Sequence, residues 1–168
     1  MSRVGMCGLL ICACVGGCVD EFDEDTEDYQ LDEVDVSAAD ALYEAIDGYW
    51  AWDQHPIWQG VELSLDGAHG DYVQIWLNDA AMTMVDSTQP VNGAILVKEG
   101  YADADATVSI SLTVMEWLGG ESSEKTGWFW ASYAPDSGAV LEAGQPKACV
   151  SCHQFSDGDD DDIVFDDQ

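Results

Sequence analysis

The chain has 168 residues and carries a formal net charge of −30 at neutral pH. This length is typical of one folded domain with tails, since no second apolar block requires a core of its own. Only 4 basic residues stand against 34 acidic ones, and one of them, Arg3, lies in the first segment. The remaining Lys98, Lys125 and Lys147 form no basic stripe that could neutralise phosphates, so the composition argues against nucleic-acid binding.

The first segment, residues 1–17, is predicted to be a secretion signal. Arg3 precedes an apolar run that is too short to span a bilayer. Small residues then lead to Cys18, in an order that resembles the lipobox of bacterial lipoproteins, whose cysteine is acylated. An ordinary signal with a chance cysteine is the alternative. The lipobox predicts a protein in the periplasm or on the outer surface, anchored to a membrane by acyl chains on Cys18.

An acidic tether is predicted next, over residues 18–36. Ten acidic residues lie between positions 20 and 35 with few large apolar ones, so this stretch is expected to stay extended. A cation-binding or docking arm is the alternative. Apolar residues recur at helical spacing after Ser37, which predicts a helix capped by Ser37 at the start of a domain over residues 37–168.

The domain is predicted to be mainly β (α+β), an antiparallel sheet with a few helices. Val108, Ile110, Leu112 and Val114 alternate with polar residues, which is the period of a sheet with one buried face. The chain ends in an acidic tail, in which an apolar patch over residues 163–165 is expected to add a short strand. The strand-like runs, bounded by Gly, Pro, Asn and Asp, cover residues 72–77, 94–99, 107–115 and 127–133.

One motif carries recognisable chemistry: Cys149 to His153 read CVSCH, the C-x-x-C-H signature of covalent haem c attachment. Two thiols one helical turn apart can add to the two vinyl groups of haem, which puts the adjacent His153 beneath the iron. Cys7, Cys12 and Cys14 leave with the signal. A redox cysteine pair is the first alternative, and it requires a thioredoxin-like βαβ unit; a structural zinc site is the second, and it requires two further ligands.

The group opposite His153 on the iron decides the function of such a haem. We favour an iron with no strong protein ligand on that distal side, because each possible ligand has an ordinary explanation. The methionines fit apolar packing, His69 lies in a turn-like stretch typical of a surface or supporting histidine, and His55 precedes a proline in a loop. The possible sixth ligands are Met82, Met84, Met115, His55 and His69.

Tryptophans are the second feature that fits a flat apolar cofactor. Seven occur in the chain, six of them in an early and a late group. One or two could form walls around haem, although ordinary core packing explains them nearly as well.

Four stretches, together with the C-terminal motif position, resemble the cytochrome P-460 family, which includes the beta-type cytochromes c-prime. The resemblance implies a mainly antiparallel β fold, a homodimer, haem held through Cys149 and Cys152, iron bound by His153, and an open distal side. The stretches are HGDYVQIWLND (69–79), NGAILVKE (92–99), GWFWASYAPDSG (127–138) and GQPKACVSCHQ (144–154).

The resemblance also implies two chemistries. Cytochromes P-460 oxidise hydroxylamine and carry a lysine–haem cross-link, for which Lys98 is the matching residue, whereas beta-type cytochromes c-prime lack the link and bind nitric oxide. Lys98 in solvent, or paired with a carboxylate across the sheet, is the alternative. Binding of nitric oxide or a similar nitrogen species is our first hypothesis, hydroxylamine oxidation with an external electron-accepting cytochrome is the second, and a His/Met electron carrier is the third. Glu99, Glu116 and Glu142 are possible proton acceptors in the second case.

Overall fold

The computed structural model describes residues 31–64, 67–85, 90–119 and 127–155. Within these ranges seven strands form one antiparallel sheet, accompanied by three α-helices, which confirms the predicted fold class. The predicted signal, the lipobox at Cys18, most of the tether and the strand at 163–165 lie outside the described residues. The elements are α1 Glu33–Ala45, a 3₁₀ turn Tyr49–Ala51, β1 Asp53–Gln54, β2 Glu62–Leu63, β3 Tyr72–Leu77, α2 Asp79–Met82, β4 Ile95–Tyr101, β5 Ser109–Trp117, β6 Trp128–Tyr133, β7 Val140–Gly144 and α3 Lys147–Phe155.

The sheet is a meander from β3 to β7, in which each strand pairs with the next along the chain. The short strands β1 and β2 both pair with β3 at its other edge. Antiparallel neighbours can be joined by short turns, so this order requires no crossover connection. The strands from β3 to β7 therefore lie side by side in the order in which they occur along the chain.

The four predicted strands are all present, and the run at 72–77 coincides with β3. The strand β7 was not predicted, because its five residues include one acidic residue and end at Gly144, whose φ is 88°. The alternation in β5 holds only in its second half. Leu112 and Val114 are buried, whereas Val108 and Ile110 are about half exposed because they lie beyond the packed part of the face.

Helix α1 begins five residues earlier than predicted, at Glu33, and its N-cap is Asp32, not Ser37. The Asp32 side chain accepts a hydrogen bond from the backbone N–H of Val34 at 2.7 Å. Glu33 and Asp35 lie in the first turn, where the positive end of the helix dipole stabilises negative charge. The end of the acidic segment is therefore helical and not extended, because its carboxylates suit a helix N-terminus.

The sheet has two faces with different coverings. On the first, here called the helix face, α1 packs its buried Ala39 and Leu42, together with its C-cap residue Ile46, against a continuous apolar core. The hydroxyl of Tyr133 donates to the backbone oxygen of Ala39 at 2.7 Å and ties this helix to β6. The sheet contributes to this core Trp76, Ile95, Val97, Leu112, Val114, Phe129, Ala131, Tyr133 and Ala143.

The opposite surface, here called the cavity face, is covered at one end by α2 and α3. A second apolar cluster forms there, in which Leu96, Met115 and Trp130 are buried and Cys149 and Val150 of α3 are partly buried. Among the described residues, no helix is both long and apolar enough to cross a membrane.

Candidate functional site

Helix α3 brings the C-x-x-C-H residues to one side. Cys149 and Cys152 lie three positions apart and His153 four positions after Cys149, so all three project from neighbouring turns of one helical face. The helix follows the buried Pro146, whose carbonyl accepts the first intrahelical bond from the Val150 N–H at 3.0 Å. Cys149 is half-buried and Cys152 exposed, and both sulfurs are thiols in this structure.

The motif faces a cavity of about 340 Å³ between α3 and the cavity face of the sheet. Cys149, Cys152 and His153 all line it, so the structure brings the three predicted attachment residues to one space. The cavity size is within the usual range for sites that bind small molecules and cofactors. Among the described residues, no group of three or more His, Cys, Asp or Glu side chains is arranged to hold a metal ion by itself.

The sheet side of the cavity consists of two rows of cross-strand neighbours. One row is apolar, formed by Leu96, Met115 and Trp130. The next row on the same face runs across five strands and is mostly polar: Ile75, Lys98, Thr113, Ser132 and Glu142.

The family comparison identifies the kind of cofactor that the chain binds. The family model for cytochrome P460 matches residues 46–166, which is most of the chain and includes the whole sheet and α3. The chain belongs to the cytochrome P460 family. It is therefore a haem-binding cytochrome, as the sequence resemblance implied. A search of curated proteins finds no match.

The cavity residues fit a haem on an observation independent of the family. Trp130 lines the cavity and is only 4% exposed, yet its Nε1–H has no hydrogen-bond partner among the described residues. A buried indole donor normally has an acceptor. Haem carries two carboxylates and binds acceptor ligands at its iron, so it can supply the acceptor that this side of the cytochrome P460 cavity requires.

Trp130 is also the one tryptophan among the described residues that lines the cavity. Its ring centre lies 6.3 Å from that of His153, with the ring planes 53° apart. Trp76 instead belongs to the core of the helix face, and Trp50 is 67% exposed. The tryptophan pattern in the sequence therefore reflects mainly core packing, with one residue available as a wall of the haem site.

A carboxylate lies beside the first cysteine. The Sγ of Cys149 donates to Glu142 Oε2 at 4.0 Å, and Ser132 Oγ donates to the same oxygen at 3.3 Å. Burial, and then the Glu142 charge, raise the pKa of the Cys149 thiol to about 11. The thiol is therefore protonated at neutral pH before any haem is attached. Glu99, in contrast, accepts a hydrogen bond from Tyr49 at 2.7 Å beside the helix-face core and does not line the cavity.

Lys98 lines the cavity from β4, where it stands in the polar row between Ile75 of β3 and Thr113 of β5. It is half-buried, and its backbone oxygen accepts a hydrogen bond from the Thr113 hydroxyl at 3.2 Å. The alternative of a Lys98 side chain that points to solvent therefore does not describe this structure. The alternation along β4 explains this location, because its neighbours Val97 and Glu99 lie on the helix face.

The possible sixth ligands of the iron separate by position. Met115 lines the cavity, whereas Met82 and Met84 only pack in the neighbouring apolar cluster. His55 is buried in its own loop, where its Nδ1 accepts from the Ile57 N–H at 3.3 Å and its ring lies beside Trp58. This local packing agrees with the sequence-based interpretation of His55.

His69 is not a surface histidine, since its ring lines the cavity and lies near His153. The sequence places it in a turn-like stretch, and the structure indeed places it in the loop between β2 and β3. The signal that the sequence contained was the position of His69 within the stretch that resembles the family, directly before β3. Its contact with the haem cavity depends on the fold, because α3 lies at the other end of the domain.

Proposed function

We propose that this cytochrome P460 family member is a monohaem c-type cytochrome that binds nitric oxide or a similar small nitrogen species at its iron. Cys149 and Cys152 hold the haem, each thiol adding across one vinyl group with its hydrogen going to the vinyl carbon. His153 binds the iron on the side of α3. The single observation that carries this proposal is that all three motif residues line one cavity.

The character of the cavity supports the binding of a small ligand. Ile75, Leu96, Met115 and Trp130 provide apolar walls, and the polar row with Thr113 is confined to one side. The apolar walls of this cavity favour a neutral diatomic over a charged ligand, since burying a charge without a partner is costly. The ligand is accordingly proposed to bind to the iron on the side that faces this cavity.

The proposal includes the cellular setting that the first segment predicts. The protein is exported and anchored to a membrane through acyl chains on Cys18, with the haem domain in the periplasm or on the outer surface. Its partners are then a small nitrogen ligand, an electron-transfer cytochrome, and a second copy of the chain in a homodimer. With few basic residues in the chain, a redox partner with a basic docking surface is favoured.

Haem attachment is tested by denaturing electrophoresis with haem staining of the exported protein. The unmodified chain is expected to keep its haem, and the double variant Cys149→Ser/Cys152→Ser to lose it completely. Ser151→Ala is the matched control, because it changes the same helix and leaves both thiols and His153 in place. Covalent thioether haem in the double variant would overturn the proposal.

Ligand binding is tested by the absorption spectrum of the reduced holoprotein with and without nitric oxide. A new set of bands at stoichiometric nitric oxide, with normal ferrous bands before addition, is the expected result. A spectrum that does not change with excess nitric oxide would show that the distal position is closed to this ligand and would reject the gas-binding function.

A second function, hydroxylamine oxidation, is favoured by one observation: Lys98 lines the cavity in which the haem is proposed to bind. In that case Lys98 is bonded to the haem, the ferrous absorption is strongly red-shifted, and electrons leave to an external cytochrome. Of Glu99, Glu116 and Glu142, Glu142 is the one that lines the cavity. It is therefore the best placed of the three to accept a proton in this reaction.

The two functions are separated by digestion of the holoprotein with a protease that cleaves at acidic residues. Under hydroxylamine oxidation the haem peptide with Cys149 is recovered joined to the peptide with Lys98, and Lys98→Arg abolishes both the link and the red shift. Lys147→Arg is the matched control, because Lys147 is exposed at the start of α3. A haem peptide without Lys98 and a normal ferrous spectrum would reject hydroxylamine oxidation.

A His/Met electron carrier depends on Met115 alone among the described methionines, since Met82 and Met84 do not line the cavity. A methionine-to-iron charge-transfer band that disappears in Met115→Leu would identify this third function.

A further inference from the structure

Two histidines from distant parts of the chain face the same cavity. His153 projects from α3, and His69 projects from the loop before β3. Their ring centres are 6.4 Å apart and their planes are inclined at 71°. The iron is expected beside His153, so the distance between these two rings bears directly on what occupies the other side of the iron.

The loop that carries His69 is held closely against the sheet. The Ser111 hydroxyl donates a hydrogen bond to the His69 backbone oxygen. Gly100 lies directly beneath, where a Cβ would collide with that same oxygen. Gly70 follows with a φ of 131°, a conformation that other residues rarely adopt. The position of His69 is therefore determined by Gly100 of β4 and Ser111 of β5 as well as by its own loop.

The hydrogen bonds of Thr113 favour the tautomer of His69 that carries its proton on Nδ1. The Thr113 hydroxyl lies 3.2 Å from His69 Nδ1 and donates to the Lys98 backbone oxygen at 3.2 Å. A hydroxyl has one hydrogen, and a carbonyl oxygen can only accept. With its hydrogen directed to the Lys98 oxygen, the Thr113 hydroxyl accepts from Nδ1–H, and in that tautomer the lone pair of His69 is on Nε2. Histidines that bind metals characteristically donate their other N–H in this way.

The two rings are arranged edge to face, and their separation also leaves room for a metal between them. Two metal–nitrogen bonds of about 2.0 Å, plus about 1.2 Å from each nitrogen to its ring centre, place the two centres roughly 6.4 Å apart. A direct N–H···N hydrogen bond of about 2.9 Å would bring them to roughly 5 Å. The observed 6.4 Å is too long for the direct bond and leaves room for the first arrangement.

We propose that Nε2 of His69 is the sixth ligand of the haem iron in the resting protein, and that nitric oxide binds by displacing it. This inference rests on the proposed haem site at Cys149, Cys152 and His153. It adds a gate to that site: a ligand binds only during the interval in which His69 has left the iron. The distal position is thus open to exchange and not empty.

The first test is the spin state of the ferric holoprotein, measured by electron paramagnetic resonance and absorption. The unmodified protein is expected to be low-spin, and both His69→Ala and His69→Gln to be high-spin. The Gln variant retains a side chain that can still donate to Thr113, so it keeps the loop contact if the Ala variant fails to fold. His55→Gln is the control and is expected to stay low-spin, because His55 packs in a separate loop.

The second test is carbon monoxide binding to the ferrous holoprotein by rapid mixing. In the unmodified protein the observed rate is expected to level off as carbon monoxide increases, because departure of His69 becomes limiting. In His69→Gln the rate is expected to increase linearly over the same range. The levelling-off and its loss report ligand exchange directly, which a merely structural role of His69 would not produce.

A high-spin unmodified protein would overturn the inference, as would a low-spin signal that persists in both His69 variants. These results remain distinct from failure of the proposed function. Covalent haem with nitric oxide binding but no effect of His69 rejects only the sixth-ligand role, whereas a protein without covalent haem rejects the proposed site itself.

Discussion

The two faces of the sheet differ in how they are filled. On the helix face, α1 completes the core, and Leu42, Val97 and Val114 are almost fully buried by the chain's own side chains. On the cavity face, the row through Lys98, Thr113 and Glu142 remains polar and borders a cavity. One sheet therefore serves two purposes: one face stabilises the fold, and the other borders the cavity in which the haem is proposed to bind. Substitutions on the two faces should have separable effects.

The largest expected effect is on the cavity face. His153→Ala is expected to abolish normal iron ligation completely, because the matching imidazole of the motif is removed. The far-ultraviolet circular dichroism of the protein is expected to remain that of the sheet, since the helix-face core is untouched. Absorption spectroscopy measures the first quantity. A variant that keeps the normal haem spectrum would show that another residue ligates the iron from α3.

A core substitution on the helix face should produce the opposite pattern. Leu42→Ala removes a side chain that is 4% exposed, and it should lower the free energy of unfolding by about 2–5 kcal/mol. The haem spectrum of the folded protein should not change, because Leu42 packs on the other side of the sheet. Denaturant unfolding measures the loss. An altered spin state in this variant would mean that the two faces are coupled.

An intermediate effect is expected at Gly100, which supports His69 from the cavity face. Gly100→Ala introduces a Cβ into the space of the His69 carbonyl oxygen, so the loop must shift, at a cost of about 1–3 kcal/mol. The shift should also weaken the bond from His69 to iron and increase the high-spin fraction. Gly93→Ala is a control for the loss of a glycine, because its Cβ would meet no neighbour, although its φ of 78° adds strain. Equal spectra for the two variants would contradict the proposed role of Gly100.

The smallest expected effect concerns Tyr133 and its dependence on pH. Tyr133→Phe removes the hydrogen bond to Ala39, with a cost of about 1 kcal/mol at neutral pH. Burial raises the pKa of Tyr133 above its usual range, so its ionisation is favoured in the unfolded state. The stabilising contribution of this pKa difference is complete below about pH 10 and is lost as the pH increases further.

The unfolding free energies of the two proteins should therefore converge above about pH 10, where the unmodified tyrosine ionises on unfolding. Denaturant titrations at increasing pH measure this convergence. A constant difference at all pH values would show that the Tyr133 hydroxyl has the same ionisation in both states.

The sequence was sufficient where the physical information is local. The spacing of Cys149, Cys152 and His153 places them on one side of any helix, and the strand-like run over residues 72–77, bounded by turn residues, predicts a strand. The signature of haem attachment and the resemblance to the family could therefore be recognised before the structure. The start of α1 was missed because the competition between two possible caps, Asp32 and Ser37, depends on which turn packs on the sheet.

The tertiary structure decided everything that depends on strand register. Register pairs Lys98 with Thr113 and brings Glu142 into the same row, and it leaves Ile110 outside the packed region although it continues the apolar pattern. The approach of His69 to His153 requires the loop before β3 and the last helix to meet over the completed sheet. Side-chain spacing along the chain determines which groups share a face, but only the packed sheet determines which distant groups face each other across a cavity.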